Sequence, residues 1–91
     1  MDTQSPKSVV PALSAMGILL NRPETLDESQ RVTLQKLCEL VIMRFDYGEK
    51  HADAAQELCM TIHDSGILKT GRAENTDQII ECIDRLRNKL K

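Results

Sequence analysis

The chain has 91 residues, enough for one small domain with a stability margin of only a few kcal/mol. It contains one Phe, one Tyr and no Trp, so any core must be aliphatic, and it has little of the aromatic surface that enzymes and base-stacking proteins usually carry. Its 12 basic and 14 acidic side chains nearly balance, which argues against nucleic acid as the main partner because phosphate binding needs concentrated positive charge.

The N-terminal region divides into a tail and a first helix. Residues 1–7 are polar and are expected to form a disordered tail, followed by a single helical domain over residues 8–91. A first helix over about residues 9–20 is predicted by apolar spacings of four, three and four, and Pro11 falls in its tolerated first turn. The residues with this spacing are Val9, Leu13, Met16 and Leu20. Ile18 lies on the opposite face.

The second predicted helix covers about residues 26–47. Thr25 and Glu28 have the spacing of a capping box, in which each side chain accepts a hydrogen bond from the other residue's backbone N–H. Gly48 is a natural left-handed terminator. The sequence therefore predicts a long helix that begins just after Thr25 and ends just before Gly48.

A third helix is predicted over about residues 51–65. Its apolar residues recur at i, i+3, i+4 and i+7, and Ser65–Gly66 ends it. These residues are Ala55, Leu58, Cys59 and Ile62. Because the link from the second helix is short, an antiparallel helical hairpin is the simplest interpretation. One continuous helix bent at Gly48 is the alternative.

The last predicted helix covers about residues 76–90. Residues 68–74 form the longest polar connection and are expected to be mobile, and Asn75 with Gln78 again has capping-box spacing. One narrow apolar face follows, made of Ile79, Ile83, Leu86 and Leu90. The predicted fold class is therefore all-α, a small three- to four-helix bundle with a central helical hairpin.

The second helix is more apolar than one buried face requires. Its expected core face comprises Leu34, Leu37, Cys38, Val41, Ile42 and Phe45. Leu40, Met43 and Tyr47 extend the apolar surface to roughly 260° of the helix circumference, and Lys36 and Arg44 lie among these positions. Either other helices of the monomer cover this strip, or the strip is an interface with a second copy or a partner. The small size of the domain favours the interface.

Two positions carry groups with possible chemistry. Cys59 and His63 have metal-ligand spacing on one helix, or the spacing of a thiol activated by an imidazole, but the sequence supplies neither further ligands in a known pattern nor an orienting third residue. A buried cysteine beside a partly exposed histidine is therefore expected, with no metal and no cofactor. The segment Thr70–Arg72 could approach an anion, but it lacks P-loop glycine spacing and is expected to be a solvated connection.

The C-terminal helix carries four basic residues within seven positions, namely Arg85, Arg87, Lys89 and Lys91. They provide a possible nucleic-acid contact. Basic residues in the last turn of a helix also complement its dipole without any partner, and this second interpretation is preferred.

The N-terminus superficially resembles a secretory signal sequence. Asp2 opens it, Pro11 interrupts its apolar part, and Asn21–Pro23 follows in place of small residues suited to cleavage. No run approaches the ~20 apolar residues of a membrane span. The expectation is a cytoplasmic protein without a membrane partner.

Cysteine usage agrees with this expectation. The chain has three cysteines, Cys38, Cys59 and Cys82. They are odd in number, far apart, and on or beside apolar helix faces, which predicts buried free thiols in a reducing compartment.

The helix–hairpin–helix organisation, entered through Leu26-Asp27-Glu28-Ser29, resembles small enterobacterial connector proteins of signalling and biofilm regulation. The resemblance covers roughly two thirds of the chain as an analogy of organisation, and it assigns no functional residue.

The predicted function is a bacterial, non-enzymatic interaction protein. It would act as a small regulator, inhibitor, adaptor or chaperone through the apolar strip of the second helix, as a homodimer or against a protein target, without a small-molecule substrate. The alternative is a DNA-associated transcriptional, biofilm or stress regulator that uses the basic C-terminal helix.

Overall fold

A computed structural model describes residues 9–22, 24–45 and 51–90. It contains five helices: α1 (Val10–Leu20), α2 (Glu28–Met43), α3 (Ala52–Ser65), α4 (Ile67–Thr70) and α5 (Thr76–Lys89). No strand occurs within those ranges, so the predicted all-α class is confirmed. The predicted N-terminal tail, residues 1–7, lies outside the described residues.

The four longer helices form a ring of contacts. α1 packs against α2 and α5, and α3 packs against the same two helices, while the short α4 packs against α2 and α3. The chain folds back between α2 and α3, because the Cys59 thiol reaches the Cys38 carbonyl oxygen at 3.5 Å. In one continuous helix these residues would lie about 30 Å apart. The contact therefore supports the hairpin, although Gly48 itself lies outside the described residues.

The core is aliphatic, as the composition requires. Side chains from all five helices form one buried cluster, and among the described residues no polar or charged side chain is buried. Fully buried members include Leu13, Met16, Leu34, Leu58 and Ile79. Such a core holds its helices by dispersion and apolar burial, without internal ion pairs.

The first helix follows the predicted pattern. Leu13, Met16 and Leu20 are all buried, Pro11 lies in the first turn and Ile18 is 69% exposed. Because Pro has no N–H to offer the preceding turn, its place at the start of the helix leaves the hydrogen-bond ladder intact.

The start of α2 corrects the predicted cap. Asp27, not Thr25, caps the helix: its Oδ1 accepts the Gln30 N–H at 2.8 Å, and Gln30 Oε1 accepts the Asp27 N–H at 2.9 Å. The physical reason lies one residue earlier. The Leu26 N–H donates to the Gly71 carbonyl oxygen at 2.9 Å and its side chain is buried, so the helix begins only after Leu26.

Replacing Asp27 with Ala is expected to lower the free energy of unfolding by about 1 kcal/mol, because the Gln30 N–H loses its acceptor. Asn75 provides the matched control. It stands at the start of α5 but its side chain makes no capping hydrogen bond, which also corrects the second predicted capping box. Asn75→Ala should therefore cost clearly less than Asp27→Ala in urea denaturation. Equal losses would contradict the capping role of Asp27.

The end of α2 is also earlier than predicted, at Met43 instead of Tyr47. The Arg44 N–H donates to Val41 and the Phe45 N–H donates to Ile42, both at 3.2 Å. These i to i−3 bonds tighten the last turn. They accompany the burial of Phe45, whose side chain leaves the helix and joins the core.

The segment after α3 is more ordered than its polar sequence suggests. Gly66 ends α3 at a left-handed φ of 79°, as predicted, and the four-residue α4 follows. Gly71 is buried at the same φ and pairs with Leu26, while Arg31 Nη1 donates to the Lys69 carbonyl oxygen at 2.7 Å. The predicted polar connection over residues 68–74 is thus helical as far as Thr70. It is docked against the start of α2.

Candidate protein-interaction surface

The predicted strip on α2 divides into a packed part and an exposed part. Leu40 is partly buried and packs against the core, whereas Met43 is 76% exposed. Lys36 is exposed and Arg44 is partly buried. Tyr47 lies outside the described residues. The structure thus separates Leu40 from Met43, which the helical periodicity had placed together.

The buried arc of α2 differs from the predicted one at its edges. The buried residues Leu34, Cys38 and Val41 all belong to the predicted core face. Ile42, expected in the core, is 38% exposed, while Leu40 packs against the core. The exposed apolar side of α2 is therefore formed by Ile42 and Met43, with Val32 further along.

A shallow groove lies between α2 and α3, beside Ile42. Its volume is about 300 Å³, and it is lined by Ile42, Gln56, Cys59, Met60, His63 and Asp64. Met60 is 63% exposed. Ile42, Met43 and Met60 together are called the α2–α3 patch below. The groove beside it is lined by both apolar and polar side chains, as protein interfaces are.

Sequence reasoning missed Met60 as a surface residue. Met60 lies outside the core-facing residues of α3, which are Ala52, Ala55, Leu58, Cys59 and Ile62. An apolar side chain on the polar side of an otherwise amphipathic helix was the available signal.

The thiols of Cys38 and Cys59 interact with each other. The Cys59 thiol donates a hydrogen bond to the Cys38 carbonyl oxygen at 3.5 Å. Interaction between the two thiols lowers the pKa of the Cys38 thiol and, together with burial, raises the pKa of the Cys59 thiol. A raised pKa keeps the Cys59 thiol protonated, whereas activation by His63 would require a thiolate. His63 itself is exposed and lines the groove. Cys38 is the more readily ionised member of the pair.

The structure places the other candidate groups as follows. Among the described residues, no three His, Cys, Asp or Glu side chains gather around a common point suited to a metal ion. In the segment Thr70–Arg72, the Gly71 N–H donates to Ile67 at 2.8 Å and the Arg72 N–H to Thr70 Oγ1 at 3.2 Å. These backbone amides are occupied by internal acceptors, so they do not form an anion-binding loop.

The basic run of α5 is partly neutralised within the protein. Arg85 lies 3.5 Å from Glu57 of α3 and 3.3 Å from Glu81 of its own helix. Arg87 and Lys89 are exposed, and Lys91 lies outside the described residues. Exposed pairs of this kind contribute little stability, but they reduce the positive charge offered to a phosphate backbone. DNA binding through this run stays a prediction.

None of the helices in the described part of the chain combines the length and apolar character needed to cross a bilayer. The chain matches no protein-family model, no curated protein and no solved structure.

Proposed function

We propose that this protein is a non-enzymatic, cytoplasmic interaction protein that self-associates through the α2–α3 patch. The single observation that carries the proposal is the exposure of Met60 in the groove that Ile42 also lines, with the exposed Met43 next to Ile42 on α2. Unbranched, polarisable Met side chains adapt to a facing surface and recur on protein-binding surfaces. Burying them against a second copy removes apolar area from water, which is the main driving force of association.

Three features support a second copy of the chain as the occupant. A surface used by both subunits of a twofold dimer must complement itself. The edge of the groove offers both an imidazole, from His63, and a carboxylate, from Asp64. The formal net charge of −2 produces little repulsion between copies. A domain this small also gains stability from dimerisation.

The proposed role is that of a small regulator or adaptor, in which dimer formation or exchange for a target controls access to the patch. The three buried free cysteines support a reducing, cytoplasmic setting. The bacterial source and the role in signalling or biofilm regulation rest on the resemblance of organisation alone.

Met60→Asp is expected to raise the dimer Kd more than tenfold, because burying an unpaired carboxylate costs more than the 1.4 kcal/mol of one decade in Kd. Light scattering over a concentration series measures this, with circular dichroism to confirm that the variant is folded. Ile18→Asp is the matched control, since the exposure of Ile18, 69%, is comparable with the 63% of Met60, but Ile18 lies on α1.

The control should associate as the wild type does. A wild-type chain that is monomeric at all concentrations would refute self-association. If Ile18→Asp dissociates the dimer and Met60→Asp does not, the interface lies on another surface.

A further inference from the structure

Cys38 and Cys59 are two buried thiols on facing helices, one in the middle of α2 and the other in α3. They are 21 residues apart in sequence, yet the Cys59 sulfur lies 3.5 Å from the Cys38 carbonyl oxygen. Both sulfurs are free, and their side chains are 4% and 7% exposed respectively. The fold therefore brings together two thiols that nothing in the sequence pairs.

One member of the pair, Cys59, is reachable from solvent. Cys59 lines the open groove between α2 and α3, together with Ile42 and Met60. A groove of about 300 Å³ admits a molecule the size of hydrogen peroxide, since a water molecule occupies only about 30 Å³ in the liquid. Neither Cys38 nor Cys82 lines this groove, but Cys38 lies against Cys59.

We infer that Cys38 and Cys59 are an oxidisable dithiol, which hydrogen peroxide or a small organic hydroperoxide converts to a disulfide that joins α2 to α3. The fold already places the Cys59 sulfur 3.5 Å from the Cys38 backbone, and a disulfide requires such close approach of the two residues. In a reducing compartment such a bond is transient and suited to sensing oxidants.

The chemistry takes two steps. One sulfur of the pair, as its thiolate, attacks an oxygen of hydrogen peroxide; the O–O bond breaks, hydroxide leaves, and a sulfenic acid forms. The other sulfur then displaces the hydroxyl group of the sulfenic acid, forming the S–S bond while its proton leaves with the hydroxide as water. In sum, two thiols and one hydrogen peroxide give one disulfide and two waters, whereas an organic hydroperoxide gives one water and one alcohol.

The consequence is a covalent link across the α2–α3 hairpin at the floor of the groove. Closing a loop of 21 residues restricts the unfolded chain, and the thermal midpoint is expected to rise by roughly 10 °C. This effect is measured on a single chain, so it does not depend on the proposed dimer.

The test is peroxide treatment of the reduced full-length protein, followed by denaturation, alkylation and mass spectrometry. We expect the mass to fall by about 2 Da as two thiol hydrogens are lost, with the number of alkylated cysteines falling from three to one. Oxidation of the exposed Met43 and Met60 adds oxygen and does not mimic this loss.

Trypsin identifies the bond. It leaves Cys38, Cys59 and Cys82 on separate peptides that span residues 37–44, 51–69 and 73–85. The inference requires a peptide pair joining the first two within one chain. Cys82→Ala should leave this product unchanged and Cys38→Ala should abolish it; if either variant fails to fold, the wild-type peptide map decides. Any one of three results would overturn the inference: three thiols still open to alkylation, a disulfide to Cys82, or a disulfide only between two chains.

Discussion

Gly71→Ala is expected to lower the free energy of unfolding by about 3 kcal/mol, which corresponds to a loss of at least roughly 12 °C in the thermal midpoint of a domain this size. Gly71 has a φ of +79°, a conformation that costs an L-residue about 1–2 kcal/mol. A Cβ at this position would also collide with the Leu26 carbonyl oxygen and lie 2.8 Å from Thr25 Cγ2.

The collision is costly because the obstacle is backbone. Leu26 and Gly71 are held together by the hydrogen bond from the Leu26 N–H, so separating them breaks a buried contact as well as moving the chain. This contact docks the segment after α4 against the start of α2. We therefore expect Gly71→Ala to loosen both, detected as faster amide hydrogen exchange at Leu26.

Gly66→Ala is the matched control. Gly66 has the same φ of +79°, but a Cβ there would meet nothing within 4 Å. Its replacement should cost only the backbone strain, about 1 kcal/mol. Chemical denaturation of both variants isolates the effect of the collision as their difference. Equal losses at the two glycines would show that the contact between Leu26 and Gly71 does not hold this segment.

The second large effect is expected at Leu40. Leu40→Asp should lower the free energy of unfolding by about 2–4 kcal/mol, because a carboxylate is placed against the apolar core. Met43→Asp should change it by no more than about 0.5 kcal/mol, since Met43 is 76% exposed and exposed substitutions are mild.

These two variants test the division of the α2 strip. Urea denaturation at low protein concentration measures the stability of each monomer, so that loss of association does not add to the difference. If Met43→Asp proves as destabilising as Leu40→Asp, then Met43 belongs to the core of the monomer and is not part of an exposed α2–α3 patch.

Local periodicity was sufficient to predict most of the fold. The spacings of four, three and four in α1 predicted the burial of Leu13, Met16 and Leu20, and the seam of α5 predicted that of Ile79 and Leu86. These predictions succeed because a helix with one apolar face has only one way to bury it. The end of α3 at Gly66 was likewise predictable from the local sequence, since few residues other than glycine adopt the left-handed conformation found there.

The errors occur where distant contacts decide. Capping by Asp27 depends on Leu26, and Leu26 is held by Gly71, 45 residues further along the chain. On α2 the apolar surface is so wide that periodicity alone could not choose which edge is buried, and only the packed structure shows Leu40 against the core and Ile42 exposed. The contact between Cys38 and Cys59 has the same origin, because it depends on how two helices meet.

The most direct test of the central claim, self-association through the α2–α3 patch, is a concentration series on protein labelled with ¹³C in its methionine methyl groups. The chain has only four methionines. Met43 and Met60 lie on the patch, and Met16 is fully buried in the core. We predict that the Met43 and Met60 signals shift together along one binding curve as the concentration rises, while the Met16 signal stays in place. The claim would be contradicted if light scattering shows a dimer while the Met43 and Met60 signals do not change, or if the Met16 signal moves instead.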